Sequence, residues 1–359
     1  MAGKFEYRPF SQIDLDDPFF DSLKQDYKEF AVSWFPKGVK ENRVALVFSD
    51  EQGLGAFVAM KEECESVQLQ RGMLPVTPRL KISTLKLAER FRGQRLGEGA
   101  LGLVLWKWQA LKLEEIYVTV YETHVDLICQ LEKFGFLAAG RNPRGELVYL
   151  RSRTKIDFSD PYKSFPFVSP NFTKGGYLIV DDIFHDTLFP YSELQHTFQD
   201  QLDRDAANGI SKVYIGKQPQ MHYRRGEPVF IYRRFTGTGI KKYRSCITSY
   251  CVVDDVVTIK RNGQRLKTFE EFCQIVGNKS VFSISDLQSK YRDDYNVTVV
   301  RLLYCGYFGA GNNVNYDWLD KNHLWNPHGG YPTNTQLTPQ QCAMIWNRGS
   351  LDVDNVMGR

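Results

Sequence analysis

"RFRGQRLGEGAL", Arg90 to Leu101, holds two overlapping glycine patterns, and the choice between them decides how the N-terminal half folds. One is Gly97-Glu98-Gly99-Ala100-Leu101-Gly102, the G-x-G-x-x-G spacing of a dinucleotide site. That fingerprint needs its first glycine in the tight turn directly after a strand. Here Gly97 follows the polar loop Arg92-Gly93-Gln94-Arg95-Leu96, and the preceding strand ends near Ala88. Gly97, Gly99 and Gly102 then fall inside a helix, so the dinucleotide reading fails. The other pattern is the loop itself. A glycine between arginines, feeding a helix N-terminus, gathers backbone N–H groups on one point where the helix dipole favours an anion. Arg92 and Arg95 can each add a charge-assisted bond to phosphate, and glycine at 97 lets a pyrophosphate approach the backbone closely.

Working outward, Leu15 to Phe35 reads as helical, with apolar residues at Phe19, Phe20, Leu23, Tyr27 and Phe30. Strand-like runs follow at 43–49, 55–63 and 79–88, and the loop leads into a helix, "GALGLVLWKWQALKL". "IYVTVYET" (116–123) alternates β-branched and aromatic residues and is the clearest strand in the chain. A further helix over 124–134 stops at Gly135, and "ELVYLRS" closes the unit.

In this order, "LKLAERFRGQRLGEGAL", "IYVTVYET" and "LEKFGF" (131–136) resemble the GNAT superfamily of N-acetyltransferases over about residues 4–150. The resemblance implies acetyl-CoA, or a related acyl-CoA, as cofactor and direct acyl transfer to an amine. It implies that backbone groups of Leu85, Lys86 and Leu87 pair with the pantetheine arm. It further implies that those of Arg92, Gly93, Gln94, Arg95, Leu96 and Gly97 hold the pyrophosphate. Three positions depart from the family's pattern: Leu131 stands where a tyrosine usually acts as general acid, His124 where asparagine is common, and Arg95 where glycine is common. Glu122 and His124, after the strand, are the candidates for proton handling, since histidine titrates near neutral pH. A solvated strand-end carboxylate and a helix-start histidine are also ordinary structural features.

The rest of the chain has another texture. Pro161, Pro166 and Pro170 interrupt "TKIDFSDPYKSFPFVSPN", which reads as a connector over 153–172. Beyond it lie short strands, "SKVYIGK", "PVFIYRR", "CITSYCVVDDVVTIKR" and "NVTVVRLLYCGYF", and a helix over 338–349 capped by Thr338 and stopped by Gly349. This region resembles the PUA-like β-barrels, including ASCH and EVE domains, over about 174–350. Such a domain would bind RNA or cradle a base. From Lys212 to Arg244 the cations Lys212, Lys217, Arg224, Arg225, Arg233, Arg234, Lys241, Lys242 and Arg244 face a single acid, Glu227. Tyr214, Tyr223, Phe230, Tyr232, Phe235 and Tyr243 are interleaved, a pattern that suits single-stranded nucleic acid or a solvated hairpin. Lys217, Arg224, Arg225, Arg233 and Arg234 are the candidate nucleic-acid contacts.

The remaining signals exclude more than they assign. Of 359 residues 42% are hydrophobic and 25% charged, a globular composition, and the net charge of +4 gives little pull on a polyanion. Seven cysteines are scattered without a C-x-x-C pair, so no zinc or disulfide framework is indicated. Asp181, Asp182, His185, Asp186 and His196 gather in "VDDIFHDTLFPYSELQH" but form no ligand cluster with another segment, so no metal is expected. No signal-peptide core or membrane span is visible, which sets the expectation of a cytoplasmic protein.

The expected architecture is α/β: a mixed central sheet flanked by helices over 1–152, a linker over 153–172, a small β-barrel with helices over 173–350, and a tail over 351–359. The expected activity is acetyl transfer from acetyl-CoA to an amine on RNA, a tRNA base or an aminoacyl-tRNA, in a toxin or defence context by analogy. A homodimer is left open. Acceptors on a DNA base, a protein or a small molecule remain alternatives, as does a non-enzymatic reader of a modified base.

Overall fold

The computed structural model describes residues 4–192, 205–219, 221–239, 244–326, 332 and 335–359. The chain divides into two compact units, Met1–Lys155 and Ile156–Arg359. The fold class is mixed α/β, as the sequence indicates.

The first unit is built on a seven-stranded sheet. Its strands are β1 (Lys4–Pro9), β2 (Val44–Asp50), β3 (Gly53–Gln68), β4 (Met73–Leu87), β5 (Glu115–Val120), β6 (Leu137–Arg141) and β7 (Leu147–Ser152). They lie in the order β1-β2-β3-β4-β5-β7-β6. Only β4 and β5 run parallel, so a crossover must join them, and α3 (Leu96–Leu111) supplies it. Leu96, Ala100, Leu101, Val104, Leu105 and Trp108 of α3 are wholly buried, a stripe at helical spacing.

A second layer holds the other face. Phe10, Phe20, Phe30, Phe35 and Phe57 form one aromatic core, with ring centroids of Phe20 and Phe57 5.2 Å apart. The helix expected over Leu15 to Phe35 is broken into pieces. A 3-10 turn (Pro18–Phe20) leads into α1 (Asp21–Asp26), and a π turn (Phe30–Trp34) runs into α2 (Phe35–Lys40). Asp17 caps the first turn by accepting from the Phe19 N–H, Tyr27 is extended, and Pro36 begins α2. The cap and the proline punctuate a stretch whose apolar spacing alone reads as continuous.

The feature that positions the site is a parting of strands. β4 pairs with β3 as far as Leu87 opposite Ala56, but with β5 only from Arg79 opposite Glu115 to Ile82 opposite Val118. The β3–β4 register shifts between Ala59 and Met60, which leaves Ser83 as an extra residue on β4. Such a bulge bends and twists its strand. β4 turns away from β5 there, while β5 stays paired with β7 through Val120 opposite Leu147.

The second unit carries β8 (Gly176–Asp181), β9 (Ser211–Gly216), β10 (Pro228–Arg234), β11 (Cys246–Arg261), β12 (Gln264–Arg265), β13 (Val297–Tyr307) and β14 (Val314–Asn315). The main path runs β8-β10-β11-β13-β9, with β12 and β14 on β11. Register shifts at three places between β11 and β13 bend these long strands. The sheet curls until Leu178 and Val180 of β8 line one small interior space with Val213 of β9, Ile231 of β10 and Leu302 of β13. Among the described residues β8 and β9 do not pair, so this is a curled open sheet where a closed barrel was expected.

The stretch 153–172 is not a loose connector beyond Lys155. Asp160 caps the short helix Pro161–Ser164, and Phe165, Phe167 and Val168 are buried within the second unit. The tail over 351–359 is also packed, for the Val168 N–H donates to the Val356 carbonyl at 2.9 Å. Prolines hide this burial from any periodicity argument.

Candidate functional site

Where β4 leaves β5, alternate residues of the segment 83–87 turn their N–H and C=O groups into the opening, because a strand's backbone groups alternate between its two edges. Leu85, Lys86 and Leu87 therefore offer an unfilled strand edge on the β5 side. The Lys86 side chain turns toward α1, donates to the Ser22 hydroxyl and lies 5.5 Å from the Phe19 ring centroid. Burial pushes its ammonium below the ordinary lysine range, against the opposing pull of Asp26, Asp21 and Glu89.

The loop after β4 is pinned at its start and open at its tip. The Ala88 N–H donates to the Gly55 carbonyl, and Arg90 Nη2 bridges Asp50 Oδ1 at 2.8 Å and the Gly53 carbonyl at 3.1 Å. Gly93 has φ +76, and nothing lies within 4 Å of where a Cβ would stand. Arg95 has φ 61 directly before α3, whose N-terminus has no side-chain cap. The first-turn N–H groups of α3 thus point to the space above Gly93, where the helix dipole favours negative charge. At Gly97 a Cβ would lie 2.9 Å from Leu87 Cδ1, so glycine is what lets the helix start sit against the end of β4.

The two loop arginines differ. Arg92 is exposed. Arg95, expected to face the phosphate, instead folds onto Glu98, with Nη2 at 3.0 Å from Oε1 and both side chains 9% exposed. Its left-handed backbone explains why glycine suits this position.

Glu122 and His124 both follow β5 at this end of the sheet and both are exposed. Glu122 forms an ion pair with Arg141, which draws its carboxylate toward the β6–β7 hairpin. His124 precedes α4 (Val125–Lys133), and its side chain makes no cap bond. Leu131 is wholly buried in α4, so that position is filled by packing.

Sequence reasoning missed a group here. Tyr27, after α1, stacks with Tyr121, after β5, at 6.4 Å between centroids and 30° between planes. The buried Glu146, next to the start of β7, charges the same surroundings. Burial first, then Glu146 and Tyr121, push the Tyr27 phenol up to about 12. No local motif could reveal these residues, because three separate elements supply them.

Four of the nine cations in the basic run of the second unit have acid partners among the described residues. Arg233 makes a two-pronged bond to Asp186 at 2.8 and 2.9 Å, and Arg234 does the same to Asp181 at 2.5 and 2.9 Å. Arg225 pairs with Asp160 at 3.2 Å and Asp254 at 3.7 Å, and Lys217 with Asp294 at 2.8 Å. Lys212 is buried, its ammonium donating to the Ala206 carbonyl at 2.7 Å. Arg224 alone of the five candidate contacts is exposed with no ion pair among the described residues. Phe230 and Tyr232 are core. Lys241, Lys242 and Tyr243 lie outside the described residues, as does His196.

The same pairs settle the acidic stretch. Asp181, Asp182 and Asp186 answer Arg234, Thr236 and Arg233, and His185 sits wholly buried between Asp186 (Nδ1, 2.8 Å) and the Thr248 hydroxyl (Nε2, 2.7 Å). Among the described residues no cluster of histidine, cysteine and acids could hold a metal ion. No helix there is long and apolar enough to cross a membrane.

No family model matches the chain, and no curated protein matches it. Solved structures do resemble part of it. An N-acetyltransferase from Staphylococcus aureus Mu50 is similar at 11% identity and a TM-score of 0.33, over 42% of this chain and 99% of that one. The PaiA N-acetyltransferase from Thermoplasma acidophilum, in complex with coenzyme A, is similar at 14% identity and a TM-score of 0.32, over 42% and 99%. A variant of the AtaT toxin, bound to the C-terminus of the antitoxin AtaR and acetyl-CoA, is similar at 11% identity and a TM-score of 0.32, over 42% and 94%.

Proposed function

We propose that the unit Met1–Lys155 binds an acyl-CoA, acetyl-CoA in the simplest case, and transfers its acyl group to an amine. One observation carries this reading: the open β4 edge at 83–87 ends directly in a loop and helix start built for an anion. A chain of amides fits the first as an added strand, and a pyrophosphate fits the second. Leu85, Lys86 and Leu87 would hold the pantetheine arm through their backbones. The N–H groups of Leu96 and Gly97 at the start of α3, with Arg92 as the exposed cation, would hold the pyrophosphate; the Gln94 N–H, also expected there, donates to the Phe91 carbonyl. Arg95 contributes through its backbone, its guanidinium being engaged by Glu98.

Bound there, acyl-CoA supplies a thioester carbonyl open to attack by a nitrogen nucleophile. The protein's part is to position the amine and to receive its proton. His124 is the proton acceptor in this proposal, exposed at the end of β5 and carrying no cap bond. Glu122, tied to Arg141, orients the hairpin beside it. With Leu131 buried, the phenol of Tyr121, exposed after β5, takes the place of the missing tyrosine in this proposal as proton source for the thiolate.

The acceptor is proposed only as an amine. The RNA-linked acceptor rested on unneutralised cations, and the acid partners of Lys217, Arg225, Arg233 and Arg234 weaken that support. The test is calorimetric titration of the full chain with acetyl-CoA, followed by thiol release in the presence of amines. Gly97→Glu should abolish binding, because it forces a side chain toward Leu87 and adds negative charge at the helix start. Unchanged affinity in that variant would sink the assignment. Binding with no thiol release from any amine would favour the non-enzymatic reader.

A further inference from the structure

The end of the sheet where β4 and β5 part holds a charge that the fold does not use. Glu146 is 5% exposed. The β5–β7 register, Val120 opposite Leu147, places it across from Tyr121. Its backbone and one carboxylate oxygen belong to the hairpin turn. Asn142 Oδ1 accepts from the Glu146 and Arg144 N–H groups at 3.0 Å each, and Asn142 Nδ2 donates to Glu146 Oε2 at 2.6 Å. Among the described residues no hydrogen bond or ion pair reaches the other oxygen, Oε1. That oxygen is not sealed off as an orphaned buried acceptor, so a cation from solvent can complete the carboxylate.

The neighbours suit a cation. Tyr121, across from Glu146 in the β5–β7 register, stacks with Tyr27, and an ammonium gains from an aromatic face as well as from a carboxylate. The Tyr27 phenol keeps its proton to about 12 partly because Glu146 and Tyr121 lie close by, which ties the three groups into one electrostatic unit. Arg144, exposed on the same turn, is the nearest internal competitor.

We propose that Glu146, Tyr27 and Tyr121 form a site for a primary alkylammonium group, the cationic end of the amine acceptor. The word acceptor rests on the acyl-transfer reading; the cation site itself does not. It defines the acceptor as an aliphatic amine, charged at neutral pH, in preference to an aromatic or amide nitrogen.

The probe is pentylammonium, with 1-pentanol as its uncharged counterpart, titrated by ligand-observed NMR into the full chain with and without acetyl-CoA. The charged probe should bind at least about tenfold more tightly than the alcohol. Glu146→Gln keeps the bond from Asn142 and should erase that preference. Tyr121→Ala should weaken the charged probe roughly two- to tenfold. Arg144→Ala should strengthen it by removing the competitor. Equal binding of the two probes to the unaltered chain, or a preference that survives Glu146→Gln, overturns the site. Loss of acetyl-CoA binding alone would remove the acyl-transfer reading and leave the cation site standing on the pentylammonium result.

Discussion

Replacing Arg95 by glycine sets two opposed effects against each other. Arg95 sits at φ 61, where an L-residue costs about 1–2 kcal/mol that glycine would not. Taken alone, the substitution should stabilise. The guanidinium, however, covers Glu98 at 3.0 Å, with both side chains 9% exposed. Removing one partner of a pair this buried costs about 3–5 kcal/mol. The start of α3 returns up to about 1 kcal/mol to a carboxylate in its first turn. The balance is a loss of about 0–4 kcal/mol for Arg95→Gly, centred near ~2 kcal/mol. For a unit of this size the central value lowers the melting midpoint by roughly 4–8 °C. Scanning calorimetry of the full chain measures the fall, and hydrogen exchange over Leu96–Leu111 assigns it to the first unit. Removing the stranded acid as well, in Arg95→Gly/Glu98→Ala, should recover most of the loss. A single variant more stable than the parent would refute the reasoning, since the backbone strain would then outweigh the ion pair.

Three further outcomes are expected. His124→Ala should lower thiol release by about 10²–10⁴-fold and leave acetyl-CoA affinity unchanged; an unaltered rate and pH profile would return His124 to a solvated side chain. Arg233→Ala should destabilise the second unit by up to about 3–5 kcal/mol through the loss of its two-pronged bond to Asp186, with chemical denaturation as the readout and an unchanged midpoint as the contrary result. Burial holds the imidazole of His185 below its ordinary 6.5. The unfolded chain therefore binds the proton first, and the second unit should lose stability as pH falls below about 6.5. His185→Asn should flatten that part of the stability curve, and coincident curves for the two proteins would exclude His185 as the source.

What the sequence revealed and what it hid divide along one physical line. The strand, loop and helix around Arg90–Leu101 were legible because every signal there is local: Gly93 needs its left-handed turn, and Leu96 to Trp108 repeat at helical spacing. β11 was read to its boundaries, Cys246–Arg261, from a stretch rich in β-branched residues. β4 was read short. It begins at Met73 where 79 was read, and crosses Pro75 and Pro78, residues that cannot donate to a ladder. The charge argument failed for a related reason. Counting along the chain paired Arg233 and Arg234 only with Glu227, whereas the parallel β8–β10 register sets Arg234 opposite Asp181. Tyr27, Tyr121 and Glu146 were invisible for the same cause, since no window of sequence contains them together.

The bulge at Ser83 has a consequence for how such a site persists. One surplus residue sets the point at which β4 stops zipping to β5, so the location of the opening is held as a count along the backbone. Side chains at 85–87 can drift in size and polarity without moving it. Deletion of Ser83 would remove the bulge and its bend, letting β4 run on beside β5 and closing the edge. The cleft is therefore tolerant of substitution and brittle to insertion or deletion, the opposite of a site assembled on loops.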